Sequence, residues 1–348
     1  MRLFRKVRRF TMIYDTFHGP FGYPPYFAAQ AEKRQIRRTA NQVSWTVIFC
    51  GGLIFLLTQA AVFFLRAVGY SYNRRLSEFS GIPPALYYLL TCAVYALGIA
   101  APALLYFALK RIPLQVGLPF RRNRAADTAA LVFFGCMVCL LANYPAEWVS
   151  TLIERAGFNG VIPETPLSDD PLVLTFYGIE TVVVPPLVEE LMFRGVVLQS
   201  LRRFGDGFAV LASSLIFGMM HGNFPQTVFA FFAGLAMGFA AVQADSLLPS
   251  ILIHFINNLV SFALQLTNRY WGDAAVSTIS EIVSAALLIL GMLALVYLVR
   301  RRGFRYRQNR GGTVLTLSGK MAALFSNPGT VIFTLLFLTL SVSVLQGG

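Results

Sequence analysis

The sequence predicts an all-α, polytopic membrane bundle of about eight to nine transmembrane helices, and three features of the chain carry that prediction. Of 348 residues, 56% are hydrophobic and only 13% are charged, about half the charged share of a soluble protein. The apolar residues are gathered in uncharged runs close to the roughly 20 residues that a helix needs to cross a bilayer. Lys and Arg number 29 against 16 Asp and Glu, a net charge of +13, and the basic residues lie in clusters between the apolar runs. That arrangement argues against a basic nucleic-acid-binding domain, whose charge would be concentrated on one face.

Residues 1–45 are polar and basic, with Arg2, Arg5, Lys6, Arg8 and Arg9 followed by Lys33, Arg34, Arg37 and Arg38. The first apolar run, 46–65, is longer than a signal-peptide core and lacks a small-residue cleavage site, so it reads as a retained span. The second lies within 79–109 and the third within 128–146; between them, 110–124 carries five basic residues and two prolines and reads as a surface loop. The stretch 144–171 is acidic and holds Pro145, Pro163, Pro166 and Pro171, so a loop is expected there too. A fourth span covers about 172–201, and it is unusual in holding Glu180, Glu189, Glu190 and Arg194.

The run 207–244 contains no Asp, Glu, Lys or Arg, enough for two spans hinged at Gly222, Asn223 and Pro225. Seventh and eighth spans are expected at 246–266 and 276–299, and a ninth at 321–345 after a basic loop. The chain thus divides into a basic segment 1–45, three spans with an acidic loop at 46–171, a polar-centred core at 172–265, an eighth span at 266–299, and a basic loop with a final span at 300–348. Cytoplasmic loops carry the excess of Lys and Arg, which puts the N-terminus inside, the acidic loop before the fourth span outside, and the chain in a plasma membrane.

Charged side chains at bilayer depth are costly and mark functional positions. Glu190 and Arg194 are four residues apart on one helical face and form a natural ion pair, whereas Glu189 is turned by about 100° and points elsewhere. Two of the three histidines, His221 and His254, lie in uncharged helices, and Asn258 shares a face with His254. A carboxylate base, imidazoles and a side-chain amide are the parts that activate water and stabilise a tetrahedral oxyanion, which fits amide hydrolysis. Each residue taken alone is as well explained by helix-to-helix hydrogen bonding; packing does not readily explain all six together.

In order, Glu189-Glu190-x-x-x-Arg194, Phe217-x-x-x-His221 and His254-x-x-x-Asn258 resemble the CPBP family of intramembrane proteases, which includes CAAX prenyl endopeptidases of the Ras-converting type and bacterial relatives called Abi. The run from Ser246 to His254 is similar to that family's lead-in to its last motif, and the likeness covers roughly 172–265. The resemblance implies that Glu189 and His221 activate water, that His254 and Asn258 support the oxyanion, and that Glu190 with Arg194 maintains the site. It also implies a membrane-associated peptide or protein substrate and a bacterial setting. A non-catalytic immunity or scaffold protein and a proton or ion carrier are the rival readings.

No cofactor is expected. Glu189, His221 and His254 offer one carboxylate and two imidazoles, enough for a three-ligand zinc site, but the chain lacks a His-Glu-x-x-His helix and a second unpaired carboxylate to act as base. Cys136 and Cys139 have CxxC spacing inside an apolar span and read as small hydrophobes. Gly234 and Gly238 form a GxxxG packing face. His18 reads as an interfacial loop residue, and Glu180, half a helical turn from the direction of Glu189, is left out of the site.

Overall fold

The computed structural model describes residues 25–73, 78–159, 167–302 and 313–347; His18 and most of the basic loop after residue 302 lie outside them. Helix α1 (Pro25–Ala67) begins well before its apolar half. A small antiparallel pair, β1 (Ser71–Asn73) with β2 (Glu78–Ser80), leads to α2 (Pro84–Lys110). A single turn, α3 (Leu114–Gly117), precedes α4 (Ala125–Arg155). Strand β3 (Phe158–Asn159) follows, and then α5, which runs continuously over Pro171–Phe204. Helix α5 starts where the Asp170 side chain accepts the Leu172 N–H at 2.8 Å and Pro171 occupies the first turn, two standard helix-start devices.

Helices α6 (Asp206–Met220) and α7 (Phe224–Ala244) form a pair, the second capped by Asn223, whose side chain accepts from Gln226 N at 2.9 Å. Helix α8 spans Leu248–Arg302, followed by α9 (Leu317–Phe325), α10 (Pro328–Ser343) and β4 (Gln346–Gly347), which pairs with β3.

The protein is a helical integral membrane protein. Among the described residues six helices are long and apolar enough to cross a membrane, seven if α9 and α10, bent by 77°, count as one span. The expected eight to nine exceeds that number for two reasons. Helix α6 has 15 residues, about 22 Å at the α-helical rise, short of the hydrocarbon thickness of about 30 Å. The expected seventh and eighth spans are the two arms of a single helical run, α8, whose 55 residues would extend about 82 Å if straight and which that number counts once.

Helix α8 is not straight. At Gly272 the backbone takes φ 76° and ψ −179°, a conformation open to glycine and strained for other residues. At its start, Leu247 N donates to Pro119 O at 2.8 Å; near its end, Tyr297 Oη donates to Asp127 at 3.0 Å and Arg301 pairs with the same carboxylate at 2.9 Å. Pro119 and Asp127 flank the start of α4, so both ends of α8 lie at one end of the bundle and its arms form a hairpin along α4. That support also explains why α4 continues through Pro145 to Arg155 where the sequence predicts a loop: one proline removes one helical hydrogen bond, and packing on both arms of α8 holds the rest.

The end of the bundle where α2 and α5 finish and α4 begins is stapled by charge. Arg202 bonds Asp206 at 2.8 Å and Asp245 at 2.9 Å, while Arg121 holds the other Asp245 oxygen at 2.8 Å. The C-terminal helices close on α1: Glu32 accepts the N–H groups of Val314 and Leu315, Asn41 accepts that of Gly329, and Lys320 donates to Phe204 O at 2.6 Å. The span after residue 300 is thereby tied into the bundle. The core centres on the second half of α5, where Met192, Phe193, Val197 and Leu198 are buried. Large apolar side chains such as Phe63 and Leu109 are exposed, as suits a lipid-facing surface.

Candidate active site

Two stretches of α5, Ile179–Val183 and Leu191–Leu198, are π-helical, a widening of the helix frequent at functional sites. Glu189 and Glu190 sit between them. Glu190 and Arg194 are both fully buried and meet at 2.8 Å. The guanidinium also donates to Gly234 O at 3.3 Å and lies 4.5 Å from the centre of the Phe217 ring. Gly234 permits a close approach: a Cβ there would lie 3.0 Å from the Ser214 side chain on α6, so the GxxxG stripe serves packing inside the bundle.

From α8, His254 Nδ1 reaches Glu190 Oε1 at 3.2 Å, and its Nε2 faces Glu189 Oε2 across 3.9 Å. The other Glu189 oxygen, Oε1, accepts a hydrogen bond from the Tyr95 hydroxyl on α2. His221 closes α6, with Nδ1 3.0 Å from Phe217 O. A carbonyl only accepts, so Nδ1 of His221 carries a proton and Nε2 is the nitrogen not engaged by Phe217 O. Phe217 stands edge-on to both imidazoles, with ring centres 5.0 Å from His221 and 5.9 Å from His254. Asn258 Nδ2 donates to Thr181 O at 3.0 Å, inside the first π-helical stretch, and Asn257 Nδ2 donates to Asn258 Oδ1 at 3.3 Å.

Glu189, His221, His254 and Asn258 line one cavity of about 820 Å³. Glu190 and Arg194 lie behind its wall, buried against one another. The cavity runs from Ile99, Phe193 and Met237 at depth to Tyr87, Tyr88 and Tyr177, near the end where α2 and α5 begin. Beneath the deep residues, Val197, Leu198 and Leu201 are fully buried and close the way to the stapled end.

The structure adds residues that the sequence patterns did not single out. Tyr95 carries no charge to betray it inside an apolar run. Asn257 is also on the wall. Glu180 lines the same cavity, nearer its rim than Glu189. The half-turn offset from Glu189 assumes a regular helix, and the π-helical stretch at Ile179–Val183 absorbs an extra residue and rotates Glu180 relative to Glu189.

Residues 171–260 match the family model described as Rce1-like, type II CAAX prenyl endopeptidase. Over these residues the chain is similar to the Rce1-like family. The matched segment spans about a quarter of the chain and contains all seven named residues of the three sequence motifs. Tyr95, at the same cavity, lies outside it. No curated protein and no solved structure matches the chain. The Rce1-like segment therefore coincides with the cavity and its carboxylate-imidazole pair, at the level of the peptidase family.

The donor atoms also bear on metal binding. Glu189 Oε1 is engaged by Tyr95 and His254 Nδ1 by Glu190. Glu189 and His254 make a close pair, but among the described residues no three His, Cys, Asp or Glu side chains gather into a metal-holding set. Cys136 and Cys139 are buried thiols.

Proposed function

We propose that the chain is an intramembrane endopeptidase that hydrolyses a peptide bond of a membrane-associated peptide or protein, with water activated by Glu189. One observation carries this reading: Glu189 Oε2 is buried without a hydrogen-bond partner, 3.9 Å from His254 Nε2, at the wall of a cavity roomy enough for a peptide segment. Tyr95 occupies Oε1 and fixes the carboxylate plane. Oε2 is then the free base, with imidazole nitrogens from His254 and His221 to orient the water.

In the first step, Glu189 takes one proton as the water oxygen bonds to the carbonyl carbon. Negative charge develops on the carbonyl oxygen. Asn258 holds one amide hydrogen on Thr181 and has the second for the oxyanion. His254, when protonated from solvent, is a second donor. In the next step the carbon–nitrogen bond breaks, and protonated Glu189 returns its proton to the leaving nitrogen. Glu190 and Arg194 touch no reacting atom in this scheme; they hold His254 through Nδ1.

The test is cleavage of quenched-fluorescent peptides by purified protein in detergent, compared with Glu189→Gln. Cleavage by the native chain that disappears in a folded Glu189→Gln variant is the expected result. If neither protein cleaves but the native chain carries protons across vesicles in a Glu189-dependent way, the ion-carrier reading replaces this one.

A further inference from the structure

The two ends of the bundle differ in charge, and the cavity approaches only one of them. At the stapled end lie Lys110 and Arg111 after α2, Arg121, Arg122 and Arg124 before α4, and Arg202 and Arg203 at the end of α5. Lys33, Arg34, Arg37 and Arg38 on the early turns of α1 are at this end too, since Glu32 holds Val314 beside α9 and Arg203 donates to Thr39. Among the described residues the opposite end carries Arg66, Arg155 and Arg269 against Glu147, Glu154, Asp169, Asp170 and Asp273. Arg269 is itself paired with Asp169 at 2.7 Å. Short loops rich in Lys and Arg face the cytoplasm.

The rim of the cavity is formed by Tyr87 and Tyr88 in the first turns of α2 and by Tyr177 on α5, all toward the end poor in basic residues. Tyr87 and Tyr88 stand edge to face, and Tyr88 does the same with Tyr177. Exposed Trp148 and Trp271 mark the same end, as aromatic residues do at a membrane–water boundary. Toward the basic end there is no comparable path among the described residues: Val197, Leu198 and Leu201 seal it, and the Arg202–Asp245–Arg121 bridges tie the helix ends together.

We infer that the cavity is entered from the non-cytoplasmic face, so that its substrates are peptide segments presented on that side: translocated or outward-facing, membrane-anchored chains rather than cytoplasmic ones. The inference rests on the peptidase reading for the word substrate, and on charge and cavity direction for the side. An entering chain meets an aromatic shelf first, suited to apolar side chains. It then passes Glu180, a carboxylate between the rim and Glu189 that accepts from a cationic side chain or from peptide N–H groups.

The test uses the full chain in the membrane of intact cells, with single cysteines introduced at Asp273→Cys in the α8 turn, Tyr87→Cys on the rim and Arg122→Cys in the basic loop, and a membrane-impermeant maleimide as probe. The four native cysteines are buried. The expected result is labelling of Asp273→Cys and Tyr87→Cys in intact cells, with Arg122→Cys labelled only after permeabilisation. Labelling of Arg122→Cys alone in intact cells would reverse the membrane orientation and overturn the inference. Labelling of Tyr87→Cys only together with Arg122→Cys would show that the cavity opens at the basic end, and would overturn it equally. Peptide cleavage in detergent, where sidedness has no part, reports separately on the peptidase reading, so a failure of either is seen by itself.

Discussion

His254 Nδ1 lies 3.2 Å from Glu190 Oε1, the same oxygen that takes the Arg194 guanidinium at 2.8 Å. One carboxylate oxygen thus joins α5 to α8 and sets the direction of the imidazole. With Nδ1 committed to Glu190, Nε2 is turned toward Glu189. Both acidic residues keep Oε2 without a hydrogen-bond partner, but their places differ: Glu190 is fully buried behind the wall with Oε1 shared by Arg194 and His254, while Glu189 lines the cavity.

Removing Arg194 is the change expected to damage the fold most. Breaking a buried pair leaves an uncompensated charge and costs about 3 to 5 kcal/mol. Here the guanidinium also bonds Gly234 O and covers Phe217. Arg194→Ala is expected to lower the yield of folded protein and its thermal midpoint in detergent. Arg194→Ala with Glu190→Gln should be less destabilised than Arg194→Ala alone, because the double variant leaves no orphan carboxylate. Thermal unfolding of the three proteins checks the order.

Glu189→Gln should have the opposite profile. The amide keeps the size of the side chain and can still accept from Tyr95, so the unfolding midpoint should stay near that of the native chain. Loss of a general base lowers turnover by about 100-fold to 10,000-fold. Steady-state cleavage beside a melting curve on the same preparation separates a chemical defect from a folding one.

Tyr95→Phe removes one hydroxyl from a helix outside the Rce1-like segment. Its partner is Glu189 Oε1, and a hydrogen bond to a charged group contributes about 1.5 to 3 kcal/mol. If that energy orients the base, kcat should fall by roughly 10-fold to 100-fold with little change in KM, because the ring remains on the cavity wall. A rise in KM with kcat unchanged would instead assign Tyr95 to substrate binding.

Much of this site can be read from spacing because intramembrane charge is rare. Glu189, Glu190, Arg194, His221 and His254 stand out against uncharged neighbours, and the four-residue intervals already pair Glu190 with Arg194. Tyr95 gives no such signal, since a tyrosine in an apolar span is ordinary. Glu180 reaches the cavity wall from a π-helical stretch of α5, and no simple residue pattern announces such a stretch. Apolar length also counts α6 as a crossing, and only the backbone shows that it stops after 15 residues; the two arms of α8 are separate runs in the sequence and remain separate in the hairpin. The hairpin at Gly272 depends on Asp127, more than 100 residues away, taking up Tyr297 and Arg301.

Metal dependence gives the sharpest remaining test of the chemistry. A zinc hydrolase needs three protein ligands around an open position. In this chain Glu189 Oε1 serves Tyr95, His254 Nδ1 serves Glu190 and His221 Nδ1 serves Phe217 O. The atoms left are Glu189 Oε2, His254 Nε2 and His221 Nε2, and they do not gather into a metal-holding set. If Glu189 were a ligand, the base would have to come from elsewhere, and Glu190 is already held by Arg194 and His254. Water activation by Glu189 itself needs no such second carboxylate. Purified protein is therefore expected to keep its peptidase activity after exhaustive dialysis against a strong chelator, and elemental analysis should find well under one equivalent of zinc. Activity lost to the chelator and restored by zinc alone, with one metal bound per chain, would overturn the metal-free mechanism and make Glu189 a ligand.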